Sequence, residues 1–289
     1  EVLNIDNAYR IRADLPGMAK KDINIEVVNN KLTISGERKI LDDNVNRNFS
    51  EINYGTFSKS FNLPDDVLES KIKAQIKPWE ELLKLSLLTQ FSVSDSNQLY
   101  KKYALMFPAH HRVRRTPQET VRDIVFLEQL HETKAPQFNL VPFVFSDSVL
   151  HNKASILFIY NLDKIDLIHI MPILHNLGIH VFDELTTRIG TRDNMMAYIH
   201  SFRVAHQDDS YSKLDENLLQ GLLIDLLQAV FNGYTSNDPL NALVVRSHLS
   251  WQQVNVLKTY RAYLLQIDVS VSREKVNNTL LKHTKLCHL

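Results

Sequence analysis

The chain has 289 residues, 44% of them hydrophobic, and its 33 Lys and Arg residues balance its 33 Asp and Glu residues. A balanced charge offers no basic field to a nucleic-acid backbone or an anionic membrane, so neither partner is expected. The length fits one large domain or two to three small ones.

Targeting and redox signals point to a cytoplasmic protein. No stretch approaches the roughly 18 apolar residues of a membrane helix, and residues 1–12 mix charge and polarity, so neither a membrane span nor a signal peptide is predicted. Cys287 is the single cysteine and can form no disulfide within the chain, as is typical of a reducing compartment. Because the first residue is Glu1 and not Met, a fragment is an open alternative.

The glycines exclude the common nucleotide-binding motifs. Seven glycines are present, and they form neither G-x-G-x-x-G nor G-x-x-x-x-G-K. The motifs G-x-S-x-G, H-E-x-x-H and C-x-x-C are absent too. The sequence therefore predicts no catalytic, cofactor-binding or metal-ligating residue.

Residues 1–75 have the alternation of a small antiparallel β domain. Ile23, Ile25 and Val27 alternate with polar residues, and Asn29-Asn30 is typical of a tight hairpin turn before the next strand, from Leu32 to Glu37. A further strand is predicted from Phe57 to Leu63.

This region carries a recognisable set of residues: Ala13, Asp14, Leu15, Pro16, Gly17, Tyr54, Gly55, Phe57, Phe61, Leu63 and Pro64. In their order and spacing these residues resemble the α-crystallin domain of bacterial small heat-shock proteins. The resemblance implies an immunoglobulin-like β-sandwich that forms dimers by strand exchange and holds unfolding client proteins without ATP. It also implies that the segment with Phe49, Glu51 and Ile52 carries the exchanged strand.

The sequence departs from that family at its end and at one pairing position. After Gln75 the last strand and the C-terminal Ile-x-Ile peptide of the family are missing, so the sandwich is incomplete. Ile52-Asn53 stands where many members carry Arg, which weakens the expectation of dimer pairing.

After Pro78 the hydrophobic period changes to that of helices. Helices are predicted from Trp79, from Ser96 to Phe107, and from Pro117 to about His131, the last with a Thr116/Glu119 capping box. The stretch Ala135–Pro142 is interpreted as a linker.

A βαββ unit follows the linker. Its strands are predicted at Lys153–Tyr160, Val181–Ile189 and Met195–His206, around a helix at Asp166–Leu177 that Gly178 ends. Pro172 inside that helix predicts either a late start or a kink.

The C-terminal part is predicted to be helical. A first helix begins at Ser212 as N-cap with Asp215 at the capping-box position, carries a leucine stripe and ends at Gly233. Further helices are predicted at Leu240–Val245, Trp251–Gln266 and Ser272–His283, and the second of these is expected to bury Val254, Leu257, Tyr260 and Leu264.

Several stretches of residues 79–289 carry a second resemblance: Phe107-Pro108-Ala109, Arg122-Asp123-Ile124, Leu174 to Val181, Leu249 to Val254 with Trp251, and Tyr260 to Leu264. By these stretches, residues 79–289 are similar to the region before the catalytic domain of large bacterial NAD-dependent glutamate dehydrogenases. This resemblance implies that the βαββ unit resembles an ACT domain, a fold that often senses amino acids. The NAD-binding core of that family is not in this chain, so the resemblance implies no enzyme activity and no cofactor here.

Four features admit both a functional and a structural interpretation. His110-His111 beside Arg112, Arg114 and Arg115 suit an anion or metal site, but also the favourable position of cations at a helix end. The remaining features are interpreted as structural, namely His175 with His180, adjacent Asp183-Glu184 on opposite faces of a strand, and the leucine stripe, while Cys287 is assigned no role.

Together the patterns predict an α+β chimera of two families. The predicted domains are a truncated β-sandwich at 1–75, a helical segment at 76–134, an ACT-like unit at 135–210 and a helical segment at 211–289. A holdase, a dehydrogenase fragment with a regulatory or assembly role, and an inactive gene-fusion remnant all stay open. The expected partners are unfolding clients, with a homo-oligomer and an amino-acid effector as further alternatives.

Overall fold

The computed structural model has a mixed α+β fold. It describes residues 2–5, 8–11, 20–28, 30–38, 55–64, 78–143, 154–190, 196–206, 216–267 and 270–284, together with residues 13, 15, 18, 67, 72 and 287. The chain divides into two compact units, one formed mainly by Glu1–Ile124 and the other by Val125–Gly190 and Met195–Leu289.

The first unit opens with two antiparallel sheets. Strands β1 (Val2–Ile5) and β2 (Ala8–Ile11) form a hairpin. A second sheet has the order β3 (Ile23–Val28), β4 (Lys31–Arg38), β5 (Gly55–Asn62), and β3 follows a short 3₁₀ helix at Lys20–Asp22. The predicted alternation is confirmed, because Ile23, Ile25 and Val27 lie half-buried while the residues between them are exposed.

Two local features fix this three-stranded sheet. Asn30 has φ of 56°, and Val28 pairs with Lys31, so the predicted Asn29-Asn30 turn is confirmed. At Gly36 the chain is crowded, since a Cβ there would lie 2.3 Å from the carbonyl oxygen of Asp22. Only glycine fits this position without a shift of the backbone.

Helices follow in the first unit. They are α1 (Trp79–Leu88), α2 (Val93–Tyr103), α3 (Ala109–Arg114) and the start of α4 (Pro117–Thr133). The predicted helix Ser96–Phe107 was misplaced, because Ser92 caps it by accepting a hydrogen bond from the Asp95 N–H at 3.2 Å. Helix α3 was not predicted.

The predicted Thr116 capping box is confirmed. The Glu119 N–H donates to Thr116 Oγ1 at 3.3 Å, and the Thr116 N–H donates to Glu119 Oε2 at 2.8 Å. Two otherwise unpaired N–H groups of the first turn of α4 are satisfied in this way.

A four-stranded antiparallel sheet organises the second unit. Its order is β6 (Gln137–Phe143), β7 (Ala154–Asn161), β9 (Met196–His206), β8 (Ile179–Gly190), with α5 (Leu167–Asn176) between β7 and β8 in the sequence. The interpretation of Ala135–Pro142 as a linker is wrong, because most of it is strand β6. Pro142 is tolerated there because β6 lies at the edge of the sheet, where a missing N–H costs no ladder bond.

The helices of this unit match the predictions closely. They are α5, α6 (Glu216–Phe231), α7 (Ala242–Ser247), α8 (Trp251–Ile267) and α9 (Arg273–Lys282), with a 3₁₀ turn at Pro239–Asn241 before α7. Gly178 and Gly233 end α5 and α6 with φ of 72° and 76°, as predicted. Helix α5 begins at Leu167, so of the two expectations for Pro172, a late start or a kink, the late start does not occur. The predicted cap at Ser212 and Asp215 lies outside the described residues.

One hydrophobic core joins this sheet to its helices. Leu157 and Phe202 of the sheet pack with Ile170 of α5, and Leu227 of α6 and Val254 of α8 belong to the same cluster. The leucine stripe therefore packs within the unit, although Leu218 at its start is 55% exposed.

The predicted buried face of α8 is only partly right. Val254 is buried and Leu257 is half-buried, but Tyr260 and Leu264 are 69% and 36% exposed. A charged residue, Arg261, takes the inner position instead and is 5% exposed. The reason is its acidic partner, Asp238, which lies at the start of the 3₁₀ turn before α7.

Candidate functional site

The signature residues of the first unit lie on and beside β5. Phe57 and Phe61 are half-buried and share one face, paired with Gly36 and Leu32 of β4. Gly55 begins the strand, and the Leu63 N–H after its end donates to the Asn30 carbonyl at 2.7 Å. This last bond ties the end of β5 to the β3–β4 turn.

Other signature residues are placed more sparsely. Ala13 and Pro64 are exposed and Leu15 is half-buried. Asp14, Pro16, Gly17, Tyr54 and the strand-exchange residues Phe49, Glu51 and Ile52 lie outside the described residues, so strand exchange stays a prediction.

The three-stranded sheet of the first unit, β3-β4-β5, has one apolar face and two outer edges. Leu32 and Ile34 are each 8% exposed, and the half-buried side chains of β3 lie beside them. Within the described strands, β3 and β5 pair only with β4, so their outer edges carry no ladder partner there. Such an edge presents backbone N–H and C=O groups to any extended peptide.

The basic cluster of α3 is used for packing. Arg112 donates to Glu80 and, from Nε, to the Phe107 carbonyl at 2.8 Å, and its guanidinium lies 5.0 Å from the centre of the Trp79 ring. Arg112 therefore joins α3 to α1 and to the turn before it. An anion site at this side chain is not what the geometry supports.

A second part of the cluster surrounds a buried carboxylate. Arg115 donates to both oxygens of Asp123, at 3.1 and 2.8 Å, and His111 Nε2 lies 3.3 Å from the same carboxylate. Burial raises the pKa of Asp123, but the His111 hydrogen bond and the Arg115 charge outweigh it, so this pKa lies below its usual value. The carboxylate is ionised and fully engaged, and it holds α3 against α4.

The ACT-like unit contains a closed histidine network on the side of the sheet that faces α5. The Ile165 N–H donates to His200 Nε2 at 3.1 Å, which requires the neutral ring to carry its hydrogen on Nδ1. Nδ1 lies 2.9 Å from Thr186 Oγ1 and 3.2 Å from Glu184 Oε1. The His200 hydrogen bond is the largest influence on the pKa of Glu184 and lowers it, against the opposing effect of burial.

This network fixes the loop that enters α5. Both ring nitrogens of His200 and the nearer oxygen of Glu184 are occupied by these contacts. Asp183 instead pairs with Arg203, so the adjacent carboxylates have separate partners, as expected of strand neighbours. His175 and His180 are exposed.

A buried ion pair lies between α8 and the 3₁₀ turn before α7. Arg261 Nη1 and Nη2 donate to the two oxygens of Asp238 at 2.8 and 2.6 Å, and Nη1 also donates to Asn277 Oδ1 at 2.6 Å. Asp238 in turn accepts the Leu240 N–H at 3.0 Å. Burial raises the pKa of Asp238, but the bonds from Arg261 and the Leu240 N–H lower it further than burial raises it.

Lys258 extends this network. Its ammonium donates to Thr235 Oγ1 at 2.9 Å and to the Ser236 carbonyl at 3.1 Å, and burial lowers the pKa of Lys258 to about 8. The network ties α8 and α9 to the loop before α7. Sequence reasoning missed it because Asp238 and Arg261 are 23 residues apart.

The described residues supply neither a metal cluster nor a spanning helix. Among them, no group of three or more His, Cys, Asp and Glu side chains could hold a metal ion. In the same residues, no helix has both the length and the apolar character needed to cross a membrane. Burial raises the pKa of the Cys287 thiol, so it is a poor nucleophile at neutral pH.

Comparison with known families divides the chain in two. Residues 1–95 match the Hsp20/alpha crystallin family. Residues 149–217 match the glutamate dehydrogenase ACT3 domain, and residues 235–289 match glutamate dehydrogenase helical motif 3. Neither dehydrogenase match is to the catalytic domain.

Individual relatives divide in the same way. The NAD-specific glutamate dehydrogenases of Halomonas elongata and Pseudomonas aeruginosa are 24% and 25% identical over 219 and 221 residues, which is 76% of this chain in each case. The chain spans only 13% of the length of either enzyme. A chloroplastic small heat shock protein of Solanum lycopersicum is 36% identical over 72 residues, which is 25% of this chain and 31% of that protein.

The two sets of matches follow one another along the chain and agree with the two resemblances read from the residues. Their succession is that of a chimera: a segment similar to the Hsp20/alpha crystallin family is followed by a segment similar to the non-catalytic region of NAD-specific glutamate dehydrogenase.

Proposed function

We propose that the chain is an ATP-independent holdase segment joined to a non-catalytic regulatory segment of a glutamate dehydrogenase. The observation that carries the first half is the Hsp20 match over a sheet whose described outer strands have unpaired edges. Unfolding clients expose extended apolar segments, and a sheet with an open edge and an apolar face binds such segments by strand addition. On this proposal the finer fold of the first segment is an incomplete immunoglobulin-like sandwich.

The holdase is tested by light scattering of a heated client such as citrate synthase, without ATP. Ile25→Lys places a charge on the apolar face of β3, and Glu26→Lys places the same charge on the exposed face one residue later. We expect the unchanged chain and Glu26→Lys to suppress aggregation and Ile25→Lys to suppress it much less. If the two variants suppress aggregation equally, with hydrogen exchange of β3 unchanged, the apolar face of β3 is not the client-binding surface and this part of the proposal is refuted.

The second half of the proposal is an amino-acid effector site in the ACT-like unit. It is supported by the ACT3 match and by the order β7, α5, β8, β9 of a βαββ unit. Because such an effector binds only the folded unit, it raises the stability by about 2.7 kcal/mol at a concentration 100 times its Kd. The chain itself binds no NAD on this proposal, since it has no G-x-G-x-x-G.

Thermal unfolding with single amino acids tests the effector. We expect one L-amino acid to raise the midpoint of the ACT-like unit while its D-enantiomer, the matched control, leaves the midpoint unchanged. If all L- and D-amino acids leave the midpoint unchanged, the regulatory role is refuted.

The alternatives are a dehydrogenase fragment with a regulatory or assembly role alone, and an inactive gene-fusion remnant. Mass spectrometry of peptides from the source organism tests whether the two segments are joined. A peptide that crosses residues 75–79 would establish the fused polypeptide in the cell. Peptides that assign the two sides to separate proteins would refute the fusion.

A further inference from the structure

The outer face of α8 is an exposed apolar stripe in the dehydrogenase-like segment. We call it the α8 outer stripe, and its members are Val256, Tyr260, Tyr263, Leu264 and Ile267, which are 53%, 69%, 62%, 36% and 65% exposed. At about 100° per residue, these five side chains fall within an arc of about 100° on the helix surface. The buried Val254 and Arg261 lie on the opposite side.

The exposed residues of α8 carry no charge. The helix has two charged residues, Lys258 and Arg261, and both are bound on the inner side by the network around Asp238. The solvent face of a helix in a monomeric protein usually carries charged residues. The centres of protein interfaces, by contrast, are depleted of charged residues and enriched in tyrosine.

The spacing within the stripe is that of a helix-pairing seam. Val256, Tyr260, Tyr263 and Ile267 follow each other at steps of four, three and four residues. This is the repeat by which two helices pack side by side along their length. The surface is therefore shaped for another helix.

The area of the stripe suits a dimer. With about 200 Å² for a tyrosine side chain, the exposed parts of Tyr260 and Tyr263 offer roughly 260 Å², and the three aliphatic side chains bring the stripe to roughly 500 Å². Two such stripes would bury about 1,000 Å², which reaches the lower limit of specific protein interfaces.

Charge indicates which helix fits. An uncharged stripe needs a partner surface without unpaired charges, since a buried charge opposite it would be uncompensated. The same stripe on a second copy meets this condition, and a two-fold axis places identical patches against each other. We propose that the α8 outer stripe pairs with the α8 outer stripe of a second copy of this chain.

Sedimentation velocity of the whole chain tests the pairing. Tyr260→Glu combined with Tyr263→Glu introduces two charges at exposed positions, and Gln266→Glu introduces one charge on the same helix, about 100° from the centre of the stripe. We expect the double variant to have no more than half the weight-average mass of the unchanged chain and Gln266→Glu to have the same mass as the unchanged chain. Far-ultraviolet circular dichroism checks that helix content is retained.

A charge exchange distinguishes self-pairing from any other assembly contact. A second double variant carries Tyr260→Lys and Tyr263→Lys, and alone it is expected to show the same loss of mass. Mixed with the Glu variant in equal amounts, it is expected to restore the mass of the unchanged chain, because opposite charges then meet across the pair. Equal masses for all chains, or a mixture that restores nothing, would overturn self-pairing and leave the stripe to a different polypeptide.

Discussion

Removal of Arg261 is the sharpest test of what holds the helical segment together. Arg261→Ala deletes the two hydrogen bonds to Asp238 and the one to Asn277, with N···O distances of 2.6 to 2.8 Å. Asp238 is 7% exposed, so its carboxylate is left buried without its cationic partner. Breaking a buried ion pair from one side costs about 3–5 kcal/mol, and we expect the free energy of unfolding to fall by that amount.

Tryptophan fluorescence gives a direct assay. The chain has two tryptophans, so Trp79→Phe leaves Trp251, the first residue of α8, as the single reporter. In urea, with a slope of about 1–3 kcal/mol/M, the expected loss moves the midpoint by about 1–5 M. The exposed Arg273→Ala is the matched control and should change the stability by no more than about 0.5 kcal/mol.

The pH dependence follows from the pKa of Asp238. In the unchanged chain this pKa lies below 3.8, so the ionised carboxylate contributes stability above that pH and loses it as the pH falls through the folded pKa. Without Arg261, only the Leu240 N–H and the Lys258 charge still oppose burial, so the pKa of Asp238 is higher than in the unchanged chain. The variant therefore takes up the proton at a higher pH and is relieved of the buried charge. We therefore expect the deficit of Arg261→Ala to be large at pH 7 and to shrink toward pH 3.

Two results would refute this account. A loss below 1 kcal/mol would mean that the pair is not buried in solution, and an equal deficit at both pH values would mean that the uncompensated carboxylate is not its cause. Combining Asp238→Asn with Arg261→Met supports the account if it recovers at least half of the loss, because both charges are then removed together.

Three further predictions concern the first unit. Gly36→Ala forces a Cβ against the Asp22 carbonyl and should cost about 1–3 kcal/mol, seen as faster hydrogen exchange in β4; unchanged exchange would contradict the crowding. Thr116→Ala removes the acceptor of the Glu119 N–H and should cost about 1 kcal/mol in α4, with exchange of its first turn as the measurement and no change as the opposing result. Asp123→Asn removes the carboxylate that accepts two hydrogen bonds from Arg115 and lies beside His111, and it should lower the urea midpoint of Trp79 fluorescence, more at pH 7 than at pH 3; a pH-independent loss would point to packing alone.

The sequence was sufficient where a local signal decides the structure. Alternation predicts the exposed and buried faces of β3, and Gly178 and Gly233 mark helix ends because glycine adopts a positive φ without strain. The capping box at Thr116 is equally local, since its two bonds join residues three apart. The succession of two families could also be read from short stretches of residues and is confirmed by the family matches.

Tertiary contacts decided what such signals leave open. Pro142 argues against a strand, yet it lies in β6 because that strand is at the sheet edge, a position that periodicity does not reveal. The predicted helix Ser96–Phe107 begins earlier because the side chain of Ser92 accepts a hydrogen bond from the Asp95 N–H and caps it.

Helix α8 illustrates the limit most clearly. Its period fixes which side chains share a face, but not which face is buried, and hydrophobicity predicted Tyr260 and Leu264 inside. In the fold Asp238 lies where it can bind Arg261. This ion pair, together with the hydrogen bond from Arg261 to Asn277, keeps that side of the helix buried. The sequence alone determined the helix and its two possible faces; the tertiary structure decided that the charged face is buried and the tyrosine face is exposed, because only the fold brings a carboxylate 23 residues away to the guanidinium.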